Sequence, residues 1–327
     1  MKVVITGGAG FLGRRLARRL LARGALTGPD GREHALTRLV LADVAAAVGF
    51  DDPRVEAVAG DIGDHALLRR LVDADTASVF HLAAVVSAQA EAEFDLGMRV
   101  NLDASRALLE ACRAARRIPR VVFTSSVAVY GGELPEVVTD DTALNPQSSY
   151  GTQKAIGELL LADYTRKGYV DGRVLRVPTV SVRPGRPNKA ASSFASGIVR
   201  EPLNGVEHVC PVAPEVPVWV LSPRRAVDAL VLGHELPGEA LGTRRAVNLP
   251  GISVRVAEMV DALREVAGDG AARRVRFELD PAINRIIASW PARWDTLRAE
   301  RLGFRGDADF ASIIRAYIED ERPAAHA

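Results

Sequence analysis

The chain has 327 residues, of which 48% are hydrophobic and 25% are charged, and its formal net charge is +1. This length favours a large domain that carries a smaller one, and the composition is that of an ordinary globular protein. A net charge so close to zero excludes a general electrostatic attraction to nucleic acid or to an anionic membrane surface.

The cysteines, histidines and apolar segments exclude further classes of protein. The two cysteines are far apart in the sequence, and none of the six histidines has the spacing of a zinc-ligand pair. No apolar run reaches the length needed to span a membrane, and the first residues lack the order of a secretory signal. We therefore expect a cytoplasmic protein without disulfides or bound metal.

Short β-branched segments alternate with helical segments through the first 180 residues. This alternation predicts repeated βαβ units and an α/β fold with a doubly wound parallel sheet. Strands are predicted near 2–6, 37–42, 54–59, 77–83, 119–125 and 172–180, and helices near 11–23, 64–74, 91–116 and 149–167.

The alternation stops at Pro178, after which prolines become frequent. Residues 224–249 again have the pattern of a helix followed by a short strand. The predicted domains are therefore discontinuous: 1–177 plus about 224–249 form the large domain, and about 178–223 plus 250–327 form a smaller α+β domain that binds substrate.

A glycine-rich turn follows the first predicted strand. The sequence GGAGFLG runs directly from that strand into an amphipathic helix. Glycine at Gly7 and Gly10 permits a tight turn and a close approach of backbone amides to a pyrophosphate, and Gly13 lets the helix pack close to the strand. The first helical residues, Phe11 and Leu12, present amides at the positive end of the helix dipole. This segment predicts a Rossmann-type dinucleotide site.

The second predicted strand ends in Asp43, where the hydroxyls of the adenosine ribose arrive in such folds. A carboxylate there repels a ribose 2′-phosphate, and Val44 supplies no compensating cation, although Arg14 or Arg15 could bend toward one. The predicted cofactor is therefore NAD. The ends of the third and fourth strands add candidate cofactor contacts at Asp61, Ile62, Leu82, Ala83 and Ala84.

Tyr150 and Lys154 are four residues apart and therefore share one face of a predicted helix. Free tyrosine has a pKa of about 10, and a neighbouring ammonium favours the phenolate. Tyr150 is thus a candidate general base for oxidation, with Lys154 also able to hold the nicotinamide ribose. Ser126, at the end of the strand near 119–125, is a candidate donor to the reacting oxygen of the substrate.

These motifs occur in the order TGGAGFLG, HLAA, Asn101, TSSVAVYG and a Tyr-x-x-x-Lys pair. In this order they resemble the extended short-chain dehydrogenase/reductase family, also called the NAD-dependent epimerase/dehydratase family, over nearly the whole chain. The resemblance implies hydride transfer at a secondary alcohol carbon, with Ser126, Tyr150 and Lys154 as catalytic residues. It also implies cofactor contacts at Asn101, Pro178 and Thr179, and a homodimer formed by the helices near 91–116 and 150–167.

Departures from the family pattern reduce the range of candidate substrates. Dehydratases of the family carry an Asp-Glu pair where this chain has Ser125 and Ser126. Nucleotide-sugar epimerases carry a diphosphate-binding arginine in a strand that here reads VWVLSP. The first departure argues against a dehydratase, because its catalytic acid is missing, and the second favours a smaller substrate without a nucleotide.

Five segments together resemble the sugar-acid dehydrogenases of this family, namely 84–87, 93–98, 177–188, 191–197 and 288–291. Those enzymes oxidise the C2 hydroxyl of a four-carbon aldonic acid with NAD. On that reading Arg183, or less favourably Arg186, pairs with the substrate carboxylate. Ser87 and Asn188 then bind substrate hydroxyls, beside Ser126 and Tyr150. For the two arginines, the alternative is a proline-stiffened loop in which they face solvent. For the whole protein, three other functions stay open: a uronate dehydrogenase, a nucleotide-sugar epimerase and a catalytically silent NAD-binding sensor.

Overall fold

The computed structural model describes residues 1–185 and 190–321, and its contacts divide them into two compact units. The first unit comprises Met1–Val129, Ser148–Arg176 and Val227–Asn248. The second comprises Tyr130–Gln147, Val177–Ala226 and the described residues from Leu249 onward. Arg186 and Asn188, two of the predicted substrate ligands, lie outside the described residues.

The secondary structure of the described residues is as follows. The strands are β1 (Lys2–Thr6), β2 (Ala25–Thr27), β3 (Glu33–Ala35), β4 (Arg38–Asp43), β5 (Val55–Ala59), β6 (Thr76–His81), β7 (Arg120–Ser126), β8 (Asp171–Val177), β9 (Thr179–Val180), β10 (His208–Cys210), β11 (Pro217–Leu221), β12 (Ala246–Asn248), β13 (Ile252–Arg255) and β14 (Val275–Phe277). The α-helices are α1 (Phe11–Arg23), α2 (His65–Leu71), α3 (Ser87–Ala92), α4 (Phe94–Gly97), α5 (Ala104–Ala115), α6 (Ser149–Arg166), α7 (Phe194–Leu203), α8 (Pro223–Glu235), α9 (Gly238–Leu241), α10 (Val256–Ala267), α11 (Asp269–Ala272), α12 (Pro281–Ala288), α13 (Leu297–Arg301) and α14 (Phe310–Glu321).

The first unit is built on a seven-stranded sheet in the order β12-β8-β7-β6-β1-β4-β5. Val4 of β1 pairs in parallel with Val40 of β4 on one side and with Val79 of β6 on the other. Every residue of β1 and β6 is buried, as expected for central parallel strands covered by helices on both faces. The predicted α/β fold with a doubly wound parallel sheet is confirmed.

The predicted strand over 172–180 is wrong in its extent because it is broken at Pro178. Proline has no N–H to donate to a strand ladder and its φ angle is fixed, so it interrupts a central strand. β8 ends at Val177 in the seven-stranded sheet, and Thr179 of β9 pairs instead with Val220 of β11. One predicted strand therefore serves two sheets.

The predicted helix over 91–116 is also interrupted. In its place the chain forms α3, α4, a π-helical segment over Met98–Asp103 and then α5. The π-helical segment contains Asn101, whose side chain forms hydrogen bonds outside the helix. A local widening of this kind is a common way to direct one side chain away from a regular helix.

The hairpin formed by β2 and β3 has no counterpart among the predicted elements. Both strands are short, at three residues each, and the residues of β3 are exposed. A hydrophobic pattern of that length cannot be distinguished from a loop, which is why periodicity does not detect this hairpin.

Buried charges tie the start of β8 to the end of α8. Arg173 donates from Nε to the Gly233 carbonyl at 2.9 Å and from Nη2 to the Leu236 carbonyl at 2.8 Å, and its Nη1 pairs with Asp171 at 2.8 Å. Arg120 donates to the carbonyl of His234, also in the last turn of α8, at 3.0 Å. The guanidinium groups thus cap the negative end of the helix dipole.

The described residues of the second unit form two small sheets, with the orders β13-β11-β9 and β10-β14. Its core is mainly aliphatic and contains side chains of helices and strands alike, including Ile198, Val220, Leu263, Ile313 and the aromatic Phe310. No helix in the described part of the chain is both long and apolar enough to pass through a lipid bilayer.

Residues 130–147 belong to the second unit, whereas the sequence pattern assigns them to the large domain. Val138 forms a parallel bridge with Trp294, and the ring of Tyr130 lies edge-on to Trp294 with their centroids 5.2 Å apart. These partners are more than 150 residues away along the chain, so no local pattern reveals them.

Candidate active site

The glycine turn brings the strand β1, the helix α1 and the neighbouring strand ends into backbone contact. Gly7 has a φ of +75°, and a Cβ placed there would lie 2.8 Å from the amide nitrogen of Ala83. A Cβ at Gly13 would lie 2.1 Å from the Gly7 carbonyl oxygen, and one at Gly8 would lie 2.8 Å from Leu41. Gly8 is therefore required by packing against β4, a role that the motif spacing does not reveal.

The start of α1 suits a phosphate group. The helix begins at Phe11, followed by Leu12, with Gly10 as its N-cap and with neither a side-chain cap nor an acidic residue in the first turn. The first amides of this 13-residue helix therefore point out of the turn at the positive end of the helix dipole.

Asp43 is joined to the glycine turn by hydrogen bonds. Its Oδ2 accepts from the amides of Ala9 at 3.0 Å and Gly10 at 3.2 Å, and its Oδ1 accepts from Val44 at 2.8 Å. The carboxylate is thus held beside the turn that would bind the pyrophosphate. Its negative charge at this place suits the ribose hydroxyls of NAD and disfavours a 2′-phosphate.

The predicted adenine contacts follow β5. Asp61 accepts from the Gly63 amide at 2.8 Å and from Arg99 Nη1 at 2.5 Å, and these two donors lower the pKa of its carboxyl group, the Arg99 hydrogen bond most. The side chain of Ile62 is buried in the core of the first unit, so only its backbone is available to a cofactor. Leu82, Ala83 and Ala84 follow β6 and are partly buried.

Asn101 holds the segment after β6 in place. Its Oδ1 accepts from the Val85 amide at 2.8 Å, and its Nδ2 donates to the Val85 carbonyl at 3.1 Å and to Gln153 Oε1 at 2.8 Å. Both N–H bonds of the side-chain amide are used, so this geometry favours a supporting role. The predicted direct contact of Asn101 with the cofactor stays a prediction.

His81, the last residue of β6, belongs to the same buried network. Its Nδ1 lies 2.6 Å from Thr6 Oγ1, and its Nε2 lies 2.9 Å from Ser105 Oγ. Because Ser105 donates its own proton to the Asn101 carbonyl, the proton of the ring is on Nε2. Burial lowers the pKa of His81 to about 3, and the charge of Lys154 acts in the same direction, so the ring is neutral.

Tyr150 and Lys154 lie in the first turn and a half of α6, which begins where Ser148 accepts a capping hydrogen bond from Gly151 at 3.1 Å. Lys154 is 1% exposed, and its Nζ donates to the Thr124 carbonyl at 2.8 Å. The Nζ atom lies 5.7 Å from the centroid of the Tyr150 ring. Burial lowers the pKa of Lys154 to about 8.

Ser126 is the last residue of β7, two residues after the Thr124 carbonyl that binds Lys154. Its Oγ accepts from the Ala128 amide at 3.1 Å. Because one lone pair of the hydroxyl is thereby used, the O–H bond is directed elsewhere and is suited to donate to a ligand oxygen.

Two buried residues near Tyr150 and Lys154, namely Glu158 and Arg176, were missed by the sequence patterns. Glu158 accepts from Ser125 and forms an ion pair with Arg176, all within the first unit. The signal available in the sequence was the spacing of Glu158, four residues after Lys154 on the same helix.

The other predicted ligands are placed as follows. Ser87 begins α3 in the first unit, and Pro178 and Thr179 lie in the second. Arg183 also lies in the second unit, where its amide donates to Ser196 Oγ at 3.0 Å and its Nε donates to the Val180 carbonyl at 3.0 Å. Their roles toward cofactor and substrate stay predictions. Among the described residues, no cluster of histidine, cysteine or carboxylate side chains is arranged to hold a metal ion.

Comparison with known proteins identifies the relatives of this chain. The model of the NAD dependent epimerase/dehydratase family matches residues 3–225. The D-erythronate dehydrogenase of Cupriavidus necator is 66% identical over 98% of each chain, and that of Haemophilus influenzae is 47% identical over 98% of this chain and 99% of its own. A crystal structure of a nucleoside-diphosphate-sugar epimerase from Agrobacterium tumefaciens is 43% identical with a TM-score of 0.93, covering 98% of this chain and 94% of its own.

The close approach at Gly13 yields a test of the dinucleotide site. In Gly13→Ala the new methyl group overlaps the Gly7 carbonyl, so the turn must open and NAD affinity should fall at least about tenfold. Calorimetric titration with NAD measures this change. Gly270→Ala is the matched control, because the nearest atom to its Cβ is 4.0 Å away; equal NAD affinities of the two variants would contradict the assignment.

Proposed function

This chain belongs to the NAD-dependent epimerase/dehydratase family, and we propose that it oxidises the C2 hydroxyl of D-erythronate to give 2-oxo-D-erythronate. It is an NAD-dependent oxidoreductase. The substrate assignment is supported by the similarity, over nearly the full length, to two enzymes named D-erythronate dehydrogenase.

The observation that best supports oxidation of an alcohol is the buried Lys154 ammonium beneath the Tyr150 ring. A cation held out of water beside a phenol favours the phenolate, which is the form that removes a proton from an alcohol. The glycine turn and Asp43 stand at the ends of β1 and β4 on the same sheet edge as β7, which carries Ser126. Parallel sheets bind their ligands at this edge.

We assign the steps to the residues as follows. Tyr150 takes the proton of the C2 hydroxyl, and Ser126 donates a hydrogen bond to the same oxygen. Lys154 stabilises the phenolate electrostatically and, through its bond to the Thr124 carbonyl, is held in one position. Bound NAD would supply the acceptor for the hydride that leaves C2.

Gly7, Gly10, Phe11, Leu12 and Gly13 would hold the pyrophosphate of NAD, and Asp43 the adenosine ribose. The geometry of the turn fits this role, because the sites where a Cβ would clash are those that a backbone cradle requires. We propose Pro178 and Thr179 as contacts to the nicotinamide portion.

The proposed substrate contacts are Arg183 for the carboxylate and Ser87 and Asn188 for the hydroxyls. The backbone of Arg183 is anchored within the second unit, since its carbonyl accepts from Arg200 Nη1 at 2.8 Å and its amide donates to Ser196. Arg200 itself is buried and paired with Glu201. An arginine on so well anchored a backbone is suited to bidentate binding of a carboxylate.

We further propose that the protein is a homodimer in which helices α5 and α6 pack against those of a second copy. Leu159 on α6 is 67% exposed, which leaves a large apolar side chain on the surface of the first unit. A cytoplasmic location stays a prediction.

The first test of the proposed function is a screen of four- to six-carbon aldonic and uronic acids with NAD, followed by NADH absorbance. We expect the highest kcat/KM with D-erythronate.

Replacement of Tyr150 by phenylalanine removes the base and should lower kcat by at least about a hundredfold.

Tyr169→Phe is the matched control for Tyr150→Phe, because Tyr169 packs edge-on against Tyr164 elsewhere in the first unit. A Tyr150→Phe protein as active as the parent would refute the assignment of Tyr150 as the general base. Stabilisation by UDP-sugars without oxidation of any acid would favour an epimerase, and NAD binding with no turnover would favour a silent sensor.

Arg183→Ala tests the carboxylate contact. The loss of a charged hydrogen bond to the acid should raise KM for D-erythronate by about tenfold or more, with a smaller change in kcat. Steady-state kinetics measure both constants. Arg276→Ala removes an exposed arginine that pairs with Glu207 and should leave both unchanged; an unaltered KM in Arg183→Ala would remove the assignment.

Leu159→Glu tests the proposed dimer. A charge at the centre of an apolar helix interface should convert the dimer to a monomer, which light scattering after gel filtration detects. Val48→Glu is the control, since Val48 is equally exposed at 67% but lies outside α5 and α6. A monomeric parent protein would contradict the proposal.

A further inference from the structure

A buried cluster of charge lies one turn beyond Lys154 on α6. Arg176 donates from Nε to both oxygens of Glu158, at 3.0 and 3.1 Å, and from Nη2 to Oε2 at 2.6 Å. Ser125 donates to Glu158 Oε1 at 2.5 Å. The three side chains come from β7, α6 and β8, and all are buried. A forked, charged arrangement of this kind fixes the position of the carboxylate.

Glu158 faces the same way as the proposed catalytic pair. Tyr150, Lys154 and Glu158 follow each other at intervals of four residues and therefore occupy one side of α6. Lys154 donates to the Thr124 carbonyl, whereas Glu158 accepts from Ser125 and Arg176. The ammonium and the carboxylate are one helical turn apart and interact electrostatically through space. In a poorly solvated interior such an interaction is strong.

Among the groups named here around Lys154, Glu158 is the anion that favours the charged form of the amine. Burial lowers the pKa of Lys154 to about 8, and Glu158 acts in the opposite direction. His81 of β6 is neutral, because burial lowers its pKa to about 3. Arg176 of β8 is directed at Glu158, and Tyr150 contributes its ring.

We propose that Glu158 is a positioning residue for the reaction: its carboxylate, fixed by Arg176, keeps Lys154 in the charged form beneath Tyr150, and through Ser125 it steadies the strand end that carries Ser126. This inference rests on the proposed function for the role of Tyr150. On this proposal, the buried ion pair of Glu158 with Arg176 maintains the protonation of Lys154, which in turn stabilises the Tyr150 phenolate.

The test is a direct titration of Lys154 in the Glu158→Gln protein. The chain has only four lysines, so the Cε resonance of Lys154 can be followed by NMR after selective ¹³C labelling and assigned with Lys154→Arg. Loss of the carboxylate removes the attraction that favours the protonated amine. The midpoint of the Lys154 titration should therefore move to lower pH by roughly one unit.

Kinetics give a second readout. Lys154 must be charged to stabilise the phenolate, so the alkaline limb of the kcat/KM profile should move to lower pH in step with the NMR midpoint. Above that limb the Glu158→Gln protein should be about tenfold slower than the parent, and below it the two should be similar. Glu158→Asp keeps the negative charge and should therefore bring both the Lys154 midpoint and the alkaline limb most of the way back to the values of the parent protein.

Asp171→Asn is the matched control, because it breaks the ion pair of a partly exposed carboxylate with the buried Arg173 at the other end of β8. It should lower the melting temperature without moving the titration of Lys154. If Glu158→Gln fails to fold, Glu158→Gln with Arg176→Gln leaves no buried arginine without a partner and should show the same direction of shift.

An unchanged Lys154 midpoint in the folded variant would overturn the proposal. So would a loss of activity that is equal at every pH, because a purely structural role produces that result. The NMR titration needs no substrate, so failure to oxidise D-erythronate would refute the proposed function and leave this test intact.

Discussion

The candidate site depends on an ammonium group held almost completely out of water. Burying a charged amine is unfavourable unless other groups replace the water it loses. Here the Thr124 carbonyl accepts its hydrogen bond, the face of the Phe123 ring lies 4.7 Å from Nζ, and Glu158 supplies a negative charge through space. The charge of Lys154 is then available to Tyr150 without strong screening by solvent.

Backbone proximity is the second constraint on this site. The turn after β1 passes so close to β4 and to the segment after β6 that side chains are excluded at Gly7, Gly8 and Gly13. Asp43 joins the turn to the end of β4 through two amides. The glycines therefore do more than permit an unusual φ angle: they let three neighbouring strand ends come close enough together to form the proposed dinucleotide site.

Buried arginines at the two ends of β8 differ in their surroundings. At the start of the strand, Arg173 is neutralised by Asp171 and caps α8, which is a contribution to the stability of the first unit. At its end, Arg176 fixes the carboxylate that faces Lys154. The catalytic edge of a parallel sheet is the carboxyl edge, so the same residue type supports structure at one end and the site at the other.

Local physics explains which elements were predicted well. Helix 11–23 was predicted with the bounds that α1 has, because its leucines recur at helical spacing and glycines flank it. The helix predicted near 149–167 begins at the residue where α6 begins, because Ser148 caps it. The strand over 172–180 and the helix over 91–116 were predicted as single elements, since hydrophobic periodicity continues across Pro178 and Asn101 where the backbone geometry changes.

The sequence by itself determined the parallel sheet, the glycine turn, Asp43 and the spacing of Tyr150 and Lys154, because each is encoded by residues adjacent along the chain or one helical turn apart. Only the tertiary structure decided that Lys154 is buried, that Glu158 meets Arg176 and Ser125, and that residues 130–147 belong with Trp294. Burial and ion pairing join residues from different elements, and a pattern within one segment carries no information about the partner that another segment supplies.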